Sequence, residues 1–139
     1  LGDNIIITEQ DLRSSPNTIF TYKVKDPSAY GVAKVNPFTG TLDSIVEKPK
    51  EFVSEDAVIG LYIFDKDCVE AAKSLQPSES GELEIVDLIK VLRDKNGMKV
   101  KQLDGLWFDV GDHESLLDCA NLVRTISQRS NMVLGLEGL

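Results

Sequence analysis

Runs of β-branched and aromatic residues alternate with turn-forming residues through the amino-terminal half of the chain. The run from Thr18 to Val24 carries Ile, Phe, Tyr and Val, and it predicts a strand. Residues 31–35 predict a second strand and residues 41–47 its antiparallel partner, because Asn-Pro-Phe-Thr-Gly at 36–40 is typical of a turn. Pro49 ends this hairpin, since proline has no N–H group with which to continue a central ladder.

A longer apolar segment and the helical patterns after it predict a sheet packed against helices. Residues 57–64 are continuously apolar, which favours a strand buried on both faces. Residues 67–75 predict a short helix. A longer helix is predicted from Ser80 or Gly81 to Asn96, with Glu84 in its first turn.

The carboxyl-terminal pattern completes an alternating order of strands and helices. Residues 98–103 predict a strand, and Asp112 is suited to cap a helix that runs to Ile126. Residues 131–139 have little pattern, and we interpret them as a tail after one domain at 1–130. Interleaved strands and helices predict the α/β class, and the hairpin at 31–47 makes the sheet mixed.

Composition and charge narrow the class of function. The 139 residues include 15 Lys and Arg against 23 Asp and Glu, and the net charge of −8 argues against nucleic-acid or anionic-membrane partners. The two cysteines do not make a disulfide framework, and no apolar run approaches a membrane span of about 18 residues. We therefore expect a cytoplasmic protein. The start at Leu1, just before an apolar run, is typical of the interior of a longer sequence or of trimming.

Two aspartates are candidates for binding a metal ion. Asp3 lies in Leu-Gly-Asp-Asn before an apolar run, and Asp109 lies in Trp-Phe-Asp-Val-Gly before the last predicted helix. Mg²⁺ binds through one or two carboxylates together with substrate phosphate oxygens, so two loop aspartates would suffice. For each aspartate taken alone, a turn or cap residue is the simpler interpretation.

Charged and aromatic residues near glycines are candidates for binding a sugar phosphate. Lys48, which follows Glu47 at the end of a predicted strand, offers an ammonium group that could neutralise a phosphate. Tyr30 before Gly31, and Tyr62 two residues after another glycine, suit a sugar, because glycine allows close approach and tyrosine offers a ring face and a hydroxyl. A solvated ion pair and ordinary core packing are the simpler interpretations of these residues.

Taken together, the motifs occur in an order that resembles the sugar-1-phosphate nucleotidylyltransferases, and among them the glucose-1-phosphate thymidylyltransferase group. The resemblance covers roughly residues 1–130. The motifs are Leu-Gly-Asp-Asn-Ile at 1–5, Asp-Pro at 26–27, Tyr-Gly-Val at 30–32, Glu-Lys-Pro-Lys at 47–50, Ala-Val-Ile-Gly-Leu-Tyr at 57–62, Gly-Glu-Leu-Glu-Ile-Val-Asp at 81–87 and Trp-Phe-Asp-Val-Gly at 107–111.

The resemblance implies the transfer of a nucleotide to a sugar 1-phosphate. In this group of enzymes, glucose 1-phosphate and dTTP give dTDP-glucose and pyrophosphate. Mg²⁺ is the implied cofactor, held by Asp3 and Asp109, and catalysis of this kind depends mainly on positioning and electrostatics. Lys48 is implied as the catalytic residue that contacts the sugar phosphate.

The resemblance also implies a sugar-binding pocket and a fold. Glu47 would contact the sugar hydroxyls. The implied fold is the carboxyl-terminal part of a Rossmann-like nucleotide-diphospho-sugar transferase fold with a mixed sheet. The positions implied to bind sugar 1-phosphate and nucleotide-sugar are Tyr30, Gly31, Glu47, Lys48, Val58 and Tyr62.

Several positions depart from the family pattern. The family's Gly-rich loop that holds the triphosphate is absent, so we expect this chain to bind substrate but to be inactive alone. Ser80 stands where the family usually has an arginine, which removes a bidentate phosphate contact. Asp112 stands where the family has threonine, which adds negative charge beside the implied metal.

Two further functions stay open besides that of half an enzyme. A domain that keeps the sugar pocket could bind sugar phosphates or nucleotide-sugars without carrying out any chemistry. Alternatively, a sheet edge without its neighbours would favour homo-oligomerisation or pairing with a missing amino-terminal half.

Overall fold

The computed structural model describes residues 4–75 and 84–110, together with positions 117, 120, 121 and 124. The chain divides into two units, one of Leu1–Thr8 with Gly105–Leu139 and the other of Glu9–Asp104. Asp3, Ser80, Asp112 and the tail at 131–139 lie outside the described residues.

The described residues include seven strands and two α-helices with defined bounds, and positions 117, 120, 121 and 124 are helical as well. Neither helix has the length and apolar character that crossing a membrane requires. In chain order the elements are β1 (Asn4–Ile7), β2 (Thr18–Lys23), β3 (Gly31–Val35), β4 (Leu42–Glu47), β5 (Asp56–Ile63), α1 (Asp67–Ser74), α2 (Ile85–Asn96), β6 (Lys99–Gln102) and β7 (Leu106–Asp109).

The unit of residues 9–104 contains a five-stranded sheet in the order β4-β3-β5-β2-β6. All neighbours are antiparallel except β2 and β6, which run parallel. The mixed sheet predicted from the sequence is therefore confirmed. The five strands that the hydrophobic pattern predicts in this unit are all present, with bounds that differ by at most a residue or two.

The hairpin of β3 and β4 has the turn that the sequence predicts. The Asn36 N–H donates to the Thr41 carbonyl at 2.8 Å, and the Gly40 N–H donates to the Asn36 carbonyl at 2.9 Å. Gly40 has a φ of 71°, a left-handed conformation that glycine adopts without strain. This turn sets the register that pairs Gly31 with Glu47 at the far end of the hairpin.

The two outer strands of the sheet are joined where they begin. The Leu42 N–H donates to the Met98 carbonyl at 2.8 Å, and the Val100 N–H donates to the Gly40 carbonyl at 3.0 Å. These bonds link the segment that leads into β4 with the segment that leads into β6. They satisfy backbone groups that an open sheet edge would leave to solvent.

The core of this unit joins the sheet to α1 and α2. On β5, Ala57 and Ile59 are fully buried, whereas Val58 between them is partly buried and packs against the helix-side cluster. The predicted strand covered on both faces is thus present, with one face less completely buried. The buried members of the helix-side cluster are Ile19, Ala33, Leu42, Ile45, Ala71, Val86, Ile89, Leu92 and Met98.

The start of α2 differs from the prediction. Glu84 has an extended backbone, with φ −93° and ψ 133°, so the helix begins at Ile85 and not before it. The Glu84 carbonyl accepts the first helical hydrogen bond, from the Leu88 N–H at 3.4 Å. Glu84 is therefore the N-cap residue rather than a member of the first turn, and a predicted start at Ser80 or Gly81 lies outside the described residues.

The unit that includes residues 4–8 and 105–110 contains a two-stranded antiparallel pair of β1 and β7. Asn4 pairs with Asp109, and Ile6 pairs with Trp107. The sequence pattern marked Ile5 to Ile7 only as an apolar run and placed Asp109 in a loop. Pairing between segments so distant in sequence has no local signal, which explains why neither strand was predicted.

Gly105 gives a test of the turn that leads into β7. It has a φ of 154°, and a Cβ atom there would lie 2.4 Å from the Ile7 carbonyl oxygen. We expect Gly105→Ala to lower the free energy of unfolding by about 1–2 kcal/mol for the backbone conformation and by about 1–3 kcal/mol more for the clash. Urea denaturation followed by the fluorescence of Trp107, the one tryptophan, measures this loss.

Gly97→Ala is the matched control. Gly97 also has a positive φ, of 77°, but a Cβ atom there meets nothing within 4 Å. Gly97→Ala should lower the free energy of unfolding by about 1–2 kcal/mol, for the backbone conformation alone. Equal losses for the two variants would contradict the close approach at Gly105.

Candidate functional site

Gly31 and Glu47 form the centre of the candidate site, because the hairpin register places them directly opposite each other. A Cβ atom on Gly31 would lie 3.1 Å from Glu47 Oε2. The carboxylate therefore lies over the glycine, in space that a larger residue would occupy. The absence of a side chain at position 31 leaves room for the Glu47 carboxylate to approach the backbone of the hairpin closely.

Lys48 follows Glu47 in an unusual backbone conformation. Its φ is 46°, and it is the one non-glycine residue with a positive φ in the described part of the chain. This left-handed conformation costs about 1–2 kcal/mol for an ordinary residue. The Lys48 N–H donates to the Tyr30 carbonyl at 2.9 Å, and the next residue, Pro49, is buried. Such strain is typical of positions with a function.

Two valines line the space beside Gly31. From the position of a Cβ atom on Gly31, Val86 Cγ2 lies 3.5 Å away and Val58 Cβ lies 3.9 Å away. Val86 is 5% exposed and comes from the first turn of α2. The charged hairpin end therefore lies against apolar side chains, of which only Val58 is partly exposed and could contact a ligand.

The pKa of Glu47 depends on its burial and on the charges of its neighbours. Burial raises the pKa of the Glu47 carboxyl above its ordinary value, and the Glu84 carboxylate raises it further, while the Lys48 charge opposes the shift. Lys48 forms no salt bridge with another described residue. The hairpin end thus holds an exposed lysine next to a carboxyl group that is partly desolvated.

The two tyrosines occupy different surroundings. Tyr30 is partly exposed and lies next to Gly31, after the short 3-10 turn at Pro27–Ala29. Tyr62 stacks on Phe64, with ring centroids 5.6 Å apart, and packs against the core cluster. Tyr62 lies on the same strand as Val58, about 13 Å further along at the usual rise per residue. The structure therefore brings Tyr30, but not Tyr62, next to the Gly31–Glu47 pair.

The predicted metal ligands belong to the other unit. Asp109 ends β7 and pairs with Asn4, the residue that follows Asp3 in the sequence. Asp3 itself lies outside the described residues. In the described part of the chain, no group of three or more His, Cys, Asp or Glu side chains is arranged to bind a metal.

Two residues of the candidate site were not identified from the sequence as site residues. Val86 and Glu84 reach the hairpin from the start of α2 and the residue before it, respectively. Their local pattern indicated only a helix. The motif Gly-Glu-Leu-Glu, which was noted for its resemblance, was the available signal that this segment matters.

Comparisons with known proteins agree with the motif order. A family model described as nucleotidyl transferase matches residues 6–125. The chain is 37% identical to a glucose-1-phosphate thymidylyltransferase of Xanthomonas campestris pv. campestris over 142 residues, which cover 95% of the chain and 48% of that protein. It is 39% identical to the same enzyme of Neisseria meningitidis, covering 95% and 49% of the two chains.

Solved structures of related enzymes are also similar to this chain. A Bacillus anthracis protein provisionally assigned as a glucose-1-phosphate thymidylyltransferase, crystallised with sucrose, matches with a TM-score of 0.76 and 30% identity over 99% of this chain and 55% of that one. A UDP-glucose pyrophosphorylase bound to UDP-glucose matches with a TM-score of 0.71 and 25% identity over 78% and 44%. The chain spans about half the length of the relatives it matches.

The surroundings of Glu47 predict a pH-dependent stability. A raised carboxyl pKa means that the folded state binds the proton more tightly than the unfolded chain, so stability falls as pH rises from 4.5, the ordinary pKa, through the raised value. Glu47→Gln cannot ionise. We expect it to be more stable than wild type at pH 7, with an advantage that shrinks on acidification and levels off below pH 4.5.

Urea denaturation at several pH values measures this difference. Glu51→Gln is the control, because it removes the same charge from an exposed position in the loop after Lys50. If the stability of Glu47→Gln depended on pH in the same way as that of wild type, the pKa of this carboxyl would be an ordinary one.

Proposed function

Because the chain belongs to the nucleotidyl transferase family, we propose that it is the sugar-binding, carboxyl-terminal half of a sugar-1-phosphate nucleotidylyltransferase. The α/β fold with a mixed sheet is that of its structural neighbours, which have the Rossmann-like nucleotidyltransferase fold. The parent reaction of the proposal is that of its named relatives, with glucose 1-phosphate and dTTP as substrates and dTDP-glucose and pyrophosphate as products.

The observation that carries the proposal is the pairing of Gly31 with Glu47 beside a strained Lys48. An ionised Glu47 accepts hydrogen bonds from sugar hydroxyls, and Lys48 offers a cation for the phosphate. Gly31 provides the space in which the Glu47 carboxylate lies against the hairpin beside Lys48. One anionic acceptor and one cation next to each other match the two ends of a sugar phosphate.

Apolar and aromatic side chains complete the proposed pocket. Val58 lies beside Gly31, is partly exposed and would supply a surface for the aliphatic face of the sugar, next to the buried Val86. Tyr30 borders the same hairpin end, and Tyr62 would reach the ligand only at a more distant part. Glu47 and Lys48 would be the polar groups that fix the orientation of the ligand.

Asp109 and Asp3 are the proposed ligands for Mg²⁺. Carboxylate oxygens are the donors that this cation prefers, and the pairing of Asn4 with Asp109 fits a two-carboxylate site completed by phosphate oxygens. Bound Mg²⁺ would offset negative charge that develops on the reacting phosphate. Lys48 would neutralise the sugar phosphate, and Glu47 would hold the sugar in orientation for in-line attack.

A binding module without chemistry is the second candidate. The substitution of Ser80 for the family's usual arginine favours it, because a bidentate phosphate contact is lost. The 139 residues also include no Gly-rich loop for a triphosphate, so we propose that this chain by itself binds substrate without turnover. Self-association, or pairing with an amino-terminal half, would be the way to complete the site.

Binding of sugar phosphates tests the proposal directly. We expect isothermal titration with glucose 1-phosphate and with dTDP-glucose to show binding that Lys48→Ala weakens roughly ten- to a hundred-fold. This range corresponds to about 1.5–3 kcal/mol for a hydrogen bond to a charged group. Lys50→Ala is the matched control, since it removes an exposed lysine two residues away and should leave the affinity unchanged.

A folded wild-type chain that binds neither ligand would contradict the proposed sugar-binding role. Equal loss of affinity in both lysine variants would show that only general positive charge at this loop matters.

The role of Asp109 has a separate test. We expect Mg²⁺ to strengthen the binding of dTDP-glucose to wild type but not to Asp109→Asn, because an amide is a weaker ligand than a carboxylate for a hard cation. Asp43→Asn, an exposed substitution in β4, is the control and should keep the Mg²⁺ effect. An Asp109→Asn chain with an undiminished Mg²⁺ effect would exclude this residue as a ligand.

A further inference from the structure

The side chain of Gln10 bonds to the backbone at the other end of the unit of residues 9–104. Gln10 Nε2 donates to the Gln102 carbonyl at 3.3 Å, and the Asp104 N–H donates to Gln10 Oε1 at 2.7 Å. A backbone N–H is a donor only, so the amide oxygen faces Asp104 and the NH₂ group faces Gln102. Both polar ends of one side-chain amide are therefore bonded to the same short stretch of backbone.

These two bonds have the pattern that a neighbouring strand would make. In a parallel ladder, one residue donates to a carbonyl of the next strand and accepts from the N–H two residues further on. The Gln10 amide does the same to residues 102 and 104, opposite Leu103. The Leu103 N–H itself donates to the Thr21 carbonyl of β2 at 2.8 Å, on the other side. This geometry requires only that the two Gln10 bonds are present, whatever else the residues contact.

Further side-chain contacts follow β6 back toward its start. Lys99 Nζ donates to Ser15 Oγ at 2.6 Å. Hydrogen bonds from Arg13 lower the pKa of the Asp11 carboxyl, and the charge of Lys101 lowers it further. The segment that precedes β2 thus meets β6 at several successive positions.

The start of the same edge of β6 is occupied by the segment that leads into β4. The Met98 carbonyl accepts from Leu42, and the Val100 N–H donates to Gly40. With the two bonds of the Gln10 amide, one backbone group on the side away from β2 is hydrogen-bonded at each of residues 98, 100, 102 and 104. Such bonded groups are lost as a template on which another strand could pair.

We propose that residues 10–15 form a strap that closes the outer edge of β6, and that the Gln10 amide, in the place of a strand residue, prevents a second copy of this chain from adding a strand there. Residues 10, 11 and 15 meet β6 in reverse order, so the strap runs antiparallel to the strand. The strap requires no ligand, so its role is independent of the proposed sugar binding.

A second copy carries a strand whose charges fit an opened β6 edge. Lys99 and Lys101 are both exposed on β6, and like charges disfavour the pairing of β6 with another β6. The other outer strand of the sheet, β4, carries Asp43 and Glu47. Pairing of β6 in one copy with β4 in the next is a head-to-tail contact, which can continue from copy to copy without closing.

The experiment compares variants of the full 139-residue chain. Gln10→Met keeps nearly the same length of side chain and removes the amide. Gln102→Met is the matched control, because it makes the same change in an exposed side chain of β6 and keeps the carbonyl of residue 102. Sedimentation velocity over a hundred-fold range of protein concentration measures self-association.

We expect Gln10→Met to form species larger than those of wild type, at concentrations at least about ten-fold lower, because the edge loses two hydrogen bonds that compete with strand addition. These species should decrease at about 0.5 M NaCl, since salt screens the attraction between exposed lysines and carboxylates. Gln102→Met should sediment like wild type. Gln10→Ala, which removes the amide without adding an apolar side chain, should associate like Gln10→Met and gives a second answer if that variant fails to fold.

Three results would overturn the inference. The first is a folded Gln10→Met or Gln10→Ala chain that sediments like wild type. The second is equal association of Gln10→Met and Gln102→Met, because an added methionine would then be the cause. The third is a wild-type NMR spectrum without the through-hydrogen-bond coupling between the Asp104 amide nitrogen and Gln10 Cδ, since the strap would then lack its main bond.

Discussion

The antiparallel register of β3 against β4 is the constraint on which the candidate site depends. It places Gly31 opposite Glu47, so that the carboxylate lies over a residue with no side chain. A slip by one residue would move Glu47 to the other face of the sheet. The turn that begins at Asn36 and includes the left-handed Gly40 holds this register from the opposite end of the hairpin. A short-range turn thus determines the geometry of a site several residues away.

The electrostatics at the hairpin end depend on residues at and just before the start of α2. Val86 at the start of the helix packs beside Gly31, and Glu84 just before the helix adds a second carboxylate. Burial and like charge both raise the pKa of Glu47, against the effect of Lys48. Lys48 also keeps a left-handed backbone. These costs are acceptable in a folded protein when the rest of the sheet and its core supply the stability.

In the other unit, it is the pairing of β1 with β7 that decides which residues lie opposite each other. β1 and β7 bring Asn4 opposite Asp109, and Trp107 Nε1 donates to Asn4 Oδ1. Asp109 was identified in the sequence from its motif, but its neighbour across the strands was not. The reason is physical: a three-residue apolar run such as Ile5 to Ile7 in β1 has the same pattern whether it forms a strand or part of a buried helix.

The sequence by itself determined the elements whose signals are local. Alternation and a turn of Asn, Pro and Gly predicted the hairpin at 31–47, and the helical pattern predicted α1 and all of α2. Only the tertiary structure decided that Glu84 is extended, that Val86 adjoins Gly31 and that Asn4 pairs with Asp109. Those arrangements join residues far apart in the chain. Packing and strand pairing stabilise these arrangements, and neither produces a periodic pattern in the sequence of the residues that take part.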